Sequence, residues 1–174
     1  MKETCNIFLI GFMGCGKSTV AAKLNQMYGM HVVEMDQEIS KRQKMSIPEI
    51  FEQYGEEYFR NLESALLEEI ATGSGQVVSC GGGVVLREDN VAEMKKSGHI
   101  VLLTAKPENV LKRVHKDDNR PILKGRKTVE DIQTLMEARR EKYEGAADIV
   151  VATDDKNIAE ICDEIIQRIE EIGV

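Results

Sequence analysis

The 174-residue sequence predicts an α/β fold, a five-stranded parallel sheet with helices on both faces, on three observations. Apolar runs recur at Ile7-Ile10, His31-Glu34, Val77-Ser79, Ile100-Thr104 and Ile149-Val151, separated by stretches of helical periodicity. That alternation belongs to a sheet buried on both sides. The first run passes directly into Gly11-Phe12-Met13-Gly14-Cys15-Gly16-Lys17-Ser18, the spacing G-x-x-x-x-G-K-S in its proper setting between strand and helix. Near the other end, Ile158, Ile161, Cys162, Ile165, Ile169 and Ile172 form one stripe of a closing helix.

The elements follow in order. The helix after the glycine-rich loop presents Val20, Ala21, Leu24 and Tyr28 to the core and ends at Gly29. The second strand ends in Glu34-Met35-Asp36, and a helical insertion spans 36–74. Ser46 and Glu49 form a capping box there, with Ile47, Ile50, Phe51 and Tyr54 at i, i+3, i+4, i+7. Gly55 breaks the pattern before a second helix carrying Phe59, Leu62, Leu66 and Ile70. The third strand runs into Gly81-Gly82-Gly83. Residues 116–127, without periodicity and containing Asn119, Pro121 and Gly125, are expected to form a lid. Length alone makes 1–174 a single domain.

The loop has a chemical reading. Glycines let the backbone wrap an anion with its N–H groups inward, and the helix starting near Lys17 adds the positive end of its dipole. Gly14, Cys15, Gly16, Lys17, Ser18 and Thr19 are therefore expected to bind a nucleoside triphosphate, which the resemblance given below makes ATP, with Lys17 on the β- and γ-phosphates and the Ser18 hydroxyl on Mg²⁺.

Composition narrows the rest. The net charge of −7 argues against nucleic acid as a partner. Residues 112–127 hold seven Lys/Arg against Asp117 and Asp118, a local +5 that suits a small polyanion. No apolar run is long enough to cross a bilayer, and a secretory cleavage after the first apolar run would destroy the loop, so the expected location is cytoplasmic. Cys5, Cys15, Cys80 and Cys162 form no CxxC pair, and His31, His99 and His115 show no metal-ligand spacing. Cys15 and Cys80 both follow strands expected to be neighbours. This favours reaction of these thiols with an alkylating reagent at the ligand crevice, against the plainer reading of small buried thiols.

A phosphate loop does not choose a reaction. The guanine signature Asn-Lys-x-Asp is absent from the sequence. The string Ser46-Ile47-xx-Ile50-Phe51-xxx-Gly55-Glu56-xx-Phe59-Arg60-xx-Glu63, with Gly81 to Gly83, Arg120-Pro121 and Arg139…Tyr143, resembles shikimate kinase over essentially the whole chain. The resemblance implies the P-loop kinase fold of the nucleoside monophosphate kinase type, Mg²⁺ as cofactor, and a monomer whose partners are the small molecules shikimate and ATP. It implies that Asp36 holds the acceptor hydroxyls, that Arg60 and Arg139 grip the shikimate carboxylate, and that Gly82, within Gly81–Gly83, offers backbone N–H to the ring. Arg120 would fold over the transferring phosphate and Arg113 would lie near the adenine, as would Ala152-Thr153-Asp154. Lys17, Asp36 and Arg120 would carry the catalysis. Two guanidiniums suit a planar carboxylate, and a carboxylate beside hydroxyls suits proton acceptance.

The chain departs from the family pattern in three places. Glu34 stands where the first acid of an Asp-x-Asp pair is expected, which places its carboxylate, expected to contact Mg²⁺ through water, one methylene further out from the backbone. Glu141-Lys142 replaces Pro-Leu ahead of Tyr143, and Cys15 and Cys80 occupy small-residue positions. Competing readings are a gluconate or nucleoside monophosphate kinase on the same scaffold and a non-catalytic nucleotide-binding module. For single residues they are Asp36 as a helix cap, Arg60 and Glu63 as a solvated i,i+3 pair, and the glycine triplet as a plain turn.

Overall fold

The computed structural model describes residues 5–114 and 128–173. The expected lid at 116–127, and Arg120 with it, lies outside the described residues. Strands β1 (Asn6–Ile10), β2 (His31–Glu34), β3 (Gln76–Ser79), β4 (Gly98–Thr104) and β5 (Ile149–Ala152) form one parallel sheet in the order β2-β3-β1-β4-β5. The helices are α1 (Lys17–Tyr28), α2 (Met35–Gln43), α3 (Ile47–Ala71), α4 (Glu88–Ser97), α5 (Pro107–Val114), α6 (Val129–Ala146) and α7 (Ile158–Ile172). The predicted architecture is the observed one.

β1 is central because every one of its residues is buried, and an apolar strand covered on both faces cannot lie at an edge. Each fully buried Phe8, Leu9 or Ile10 contributes about 1.5–3 kcal/mol relative to exposure. The loop leaving β1 thus opens at the carboxyl edge of the sheet between β3 and β4, where α/β proteins hold their ligands. At the opposite edge Asn6 is buried and sets the start of β3. Its amide donates to the Gly73 carbonyl at 3.1 Å, and its Oδ1 accepts from the Gln76 backbone N–H at 3.1 Å and from Gln76 Nε2 at 3.3 Å.

The insertion is organised by its caps. Ser46 accepts from the Glu49 backbone N–H at 3.3 Å and its hydroxyl meets the Glu49 carboxylate at 3.1 Å, so α3 starts where the capping box places it. The break at Gly55 is one residue wide (φ 84, ψ 172), a conformation only glycine adopts without strain. The expected helix pair is therefore present as two helical segments of α3 that meet at Gly55, with the Phe51 and Phe59 rings 5.0 Å apart across the bend. α2 takes Met35 and Asp36 out of the strand, which ends at Glu34.

Three residues expected on apolar stripes lie outside the core. Tyr28 is exposed because its hydroxyl reaches Asp163 Oδ1 at 2.8 Å. Tyr54 precedes the kink and stacks on Tyr58 at 4.5 Å, and Ile172 is the last residue of α7, both exposed. Among the described residues no helix is long and apolar enough to cross a membrane.

Candidate active site

The floor of the site is the loop between β1 and α1. Gly16 caps α1 with φ 91, which turns the chain sharply enough to aim the first N–H groups of the helix into the crevice. Lys17 Nζ donates to the Gly11 carbonyl at 2.6 Å and to the Phe12 carbonyl at 3.4 Å, so its charge lies over the loop itself. The side chain of Cys15 is buried on the far side of the loop, where it lines a separate cavity of about 200 Å³ with Phe12, Leu103, Met136 and Tyr143.

Strand register brings the next group together. β2 and β3 pair so that Glu34 lies opposite Ser79. The Ser18 hydroxyl, one residue into α1, donates to Glu34 Oε2 at 3.0 Å and lies 3.4 Å from the Ser79 hydroxyl. Three hard oxygen donors thus meet beside the phosphate loop, a chemistry that suits Mg²⁺. The extra methylene of Glu34 leaves its carboxylate within hydrogen-bonding reach of Ser18.

The wall opposite is built around missing side chains. A Cβ on Gly81 would lie 2.6 Å from Glu63 Oε2 and 2.9 Å from Asp36 Oδ1, and one on Gly83 would overlap the Arg60 guanidinium. A Cβ on Gly82 would stand 3.4 Å from Arg139 Nη1. The triplet is therefore the surface against which two carboxyl groups and two guanidiniums close, which is more than a turn. Arg60 Nη1 donates to Glu63 Oε1 at 3.2 Å, and both residues are buried, unlike the solvated pair of the competing reading. Asp36 lies in the first turn of α2, whose cap position is Glu34, so capping is not its role.

These parts line one cavity of about 480 Å³. It brings together Gly14, Gly16, Lys17, Ser18, Thr19, Glu34 and Asp36 with Arg60, Gly81, Gly82, Gly83 and Arg139. The Cys15 side chain is excluded from it, and of Arg113 only the backbone, in α5, is described. Four buried side-chain atoms among the described residues lack a hydrogen-bond partner: Asp36 Oδ1, Arg60 Nε, Glu63 Oε2 and Arg139 Nη1. All four belong to this wall. Buried polar atoms are normally paired, so two free donors and two free acceptors around one cavity outline a ligand with both a carboxylate and hydroxyls.

Comparison with known proteins agrees with that outline. The family model described as shikimate kinase matches residues 13–170. The chain belongs to the shikimate kinase family. A shikimate kinase from Dehalococcoides mccartyi is 38% identical over 171 residues, covering 98% of this chain and 97% of its own. The structure of shikimate kinase from Acinetobacter baumannii in complex with shikimate superposes with a TM-score of 0.91 at 32% identity, covering 97% of this chain and 95% of that one. The shikimate kinase of Aquifex aeolicus gives 0.82 at 36% identity over 97% of this chain and 98% of that one.

Two residues of this candidate site were not assigned from the sequence. Ser79 is a small polar residue immediately before the cysteine and glycine triplet, visible only once the register with Glu34 is known. Glu63 was legible as the i+3 partner of Arg60 on one helix face, but its burial was not. Burial pushes the Glu63 carboxyl up to about 7, with Asp36 adding to the rise and Arg60 and Arg139 opposing it. Burial also raises the Tyr143 hydroxyl and drives the Cys80 thiol far above its usual range. Cys15 and Cys80 are buried, which corrects the expectation of reactive thiols; Cys5 is the exposed one.

Proposed function

We propose that the chain transfers the γ-phosphoryl group of ATP to the 3-hydroxyl of shikimate, giving shikimate 3-phosphate and ADP. The observation that carries this reading is the set of unpartnered buried atoms around Gly81–Gly83. Arg60 Nε and Arg139 Nη1 are free to take the carboxylate, and Asp36 Oδ1 is free to accept from the hydroxyl that attacks. Gly82 presents its backbone to the ring between them. Lys17 leaves the Gly11 carbonyl for the β- and γ-phosphates, and the N–H groups of residues 14–19 cradle them. Ser18 and Glu34, with Ser79 beside them, would hold Mg²⁺, which would neutralise phosphate charge when bound. Arg120 approaches the transferring group and Arg113 the adenine.

Catalysis in this reading is positioning and charge stabilisation, with Asp36 orienting the acceptor hydroxyl and taking its proton. The whole chain acts as one kinase domain with 36–74 as its acceptor-binding insertion and 116–127 as its lid. In this reading it works as a cytoplasmic monomer whose partners are the small molecules shikimate and ATP. A coupled ADP-release assay with shikimate, gluconate and nucleoside monophosphates in parallel tests it. Turnover with shikimate alone is expected, and faster turnover with either of the others overturns it.

A further inference from the structure

The chain leaving the glycine triplet is braced by its own hydrogen bonds. The Val84 N–H donates to the Gly81 carbonyl at 3.2 Å and the Leu86 N–H to the Gly83 carbonyl at 3.1 Å, closing a 3₁₀ turn over Val84–Leu86. The buried Asn90 ties the first turns of α4 back to it, its Nδ2 donating to the Val84 carbonyl at 2.9 Å. Arg87 stands between these ties, at the N-cap position of α4, and its guanidinium crosses to α3. There Nη1 donates to the Arg60 carbonyl at 3.3 Å and to Ser64 Oγ at 3.1 Å, and Nη2 donates to Asn61 Oδ1 at 2.9 Å. A helical carbonyl keeps a second lone pair, so the bond to Arg60 takes nothing from the helix.

Arg60 is thus held at both ends by one short stretch of chain. Its guanidinium lies against Gly83, where a Cβ would overlap it, and its backbone carbonyl is gripped by Arg87 just beyond the turn. The grip matters because Gly55 breaks α3 shortly before Arg60, so the first helical segment does not dictate the direction of the second. A guanidinium presents its donors in a fixed planar fork, and three bonds from one such fork set both the distance and the rotation of the α3 face. Resting on the shikimate reading above, we propose that Arg87 is a positioning residue for the acceptor carboxylate. It fixes the second segment of α3 to the glycine triplet and so sets where the Arg60 guanidinium, with its unpartnered Nε, stands in the cavity. Arg87 does not line that cavity, and its three hydrogen bonds all go to α3, none to the phosphate loop. Its loss is therefore felt by the acceptor and not by the nucleotide.

Steady-state kinetics of a double-mutant cycle, read by coupled ADP release, tests this. Arg87→Ala should raise KM for shikimate about tenfold and leave KM for ATP within about twofold. In an Arg60→Ala background, compared by kcat/KM because saturation is out of reach, Arg87→Ala should add less than about twofold. Equal rises in both KM values, or a tenfold loss that persists without the Arg60 side chain, overturns the proposal and leaves Arg87 a general brace between α3 and α4. Should Arg87→Ala fail to fold, Arg87→Lys takes its place: it keeps the stem and the charge but not the fork, so KM for shikimate should still rise. An unchanged KM in Arg87→Lys then overturns the proposal. Absence of shikimate turnover by the unmodified protein instead overturns the acceptor assignment on which it rests.

Discussion

The Tyr143 hydroxyl donates to the Gly82 carbonyl at 2.5 Å, linking the helix that carries Arg139 to the glycine loop proposed to face the acceptor. Glu141-Lys142 precedes Tyr143 where the family pattern has Pro-Leu, and α6 continues through both residues. The hydrogen bond holds Arg139 and Gly82 in fixed relation, so Tyr143→Phe should cost about 0.5–1.5 kcal/mol of acceptor binding, the ordinary worth of one such bond. KM for shikimate rises and KM for ATP stays level in steady-state kinetics; equal change in both contradicts the role.

Gly81→Ala places a methyl group between Glu63 Oε2 and Asp36 Oδ1. Overpacking of this kind costs about 1–3 kcal/mol of stability and displaces both carboxyl groups from the cavity. Calorimetry should find nucleotide binding retained and shikimate binding lost.

Lys17→Ala removes the positive charge that lies over the loop. Loss of one preorganised contact of this type raises the barrier by about 2.7–4 kcal/mol, and the thermal unfolding midpoint should change little. Turnover within threefold of the parent contradicts the assignment.

Stability should carry the signature of Glu63. Its folded value near 7 stands above the ordinary 4.5, so between these pH values the folded state binds more protons and stability falls as pH rises. The loss is fully present above about 7 and is on the order of 3 kcal/mol. Glu63→Gln removes the slope, so thermal melts from pH 4.5 to 8 should show the variant gaining on the parent as pH increases.

Thiol chemistry should be confined to Cys5. Cys15, Cys80 and Cys162 are buried and the thiols of Cys80 and Cys162 are pushed up by burial, the latter to about 11. An alkylating reagent under native conditions is expected to modify Cys5 and leave turnover unchanged, and Cys5→Ser should abolish labelling. Labelling of Cys15 or Cys80 that ATP and shikimate suppress reverses this expectation.

The sheet, the phosphate loop and the capped insertion were legible because each rests on local chemistry, β-branched runs, a glycine spacing and a capping box, whereas the grouping of Asp36, Arg60, Gly81–Gly83 and Arg139 came from the resemblance to shikimate kinase. What escaped depended on distance across the fold. Ser79 acquires meaning from its register with Glu34, and Glu63 from burial under the glycine triplet, neither of which periodicity records. Cys15 was placed in the nucleotide site by its position in the motif, while alternation along the loop turns its side chain to the back. The stripes overreached at Tyr28, Tyr54 and Ile172, where a helix end or a kink removes a residue from the face its spacing assigns.

Asn6 shows how far from its ligands a site can be damaged. By fastening both Gly73 and Gln76 it determines which residue opens β3, and the strand then runs about 3.3 Å per residue to Ser79 and the glycine triplet. A slip of one position would turn Ser79 to the other face and carry Gly81–Gly83 out of reach of Arg60 and Asp36 together. A mutational scan ranked by proximity to the cavity would score Asn6 as neutral ground, whereas substitution there is expected to disturb the glycine wall from the amino end of the sheet.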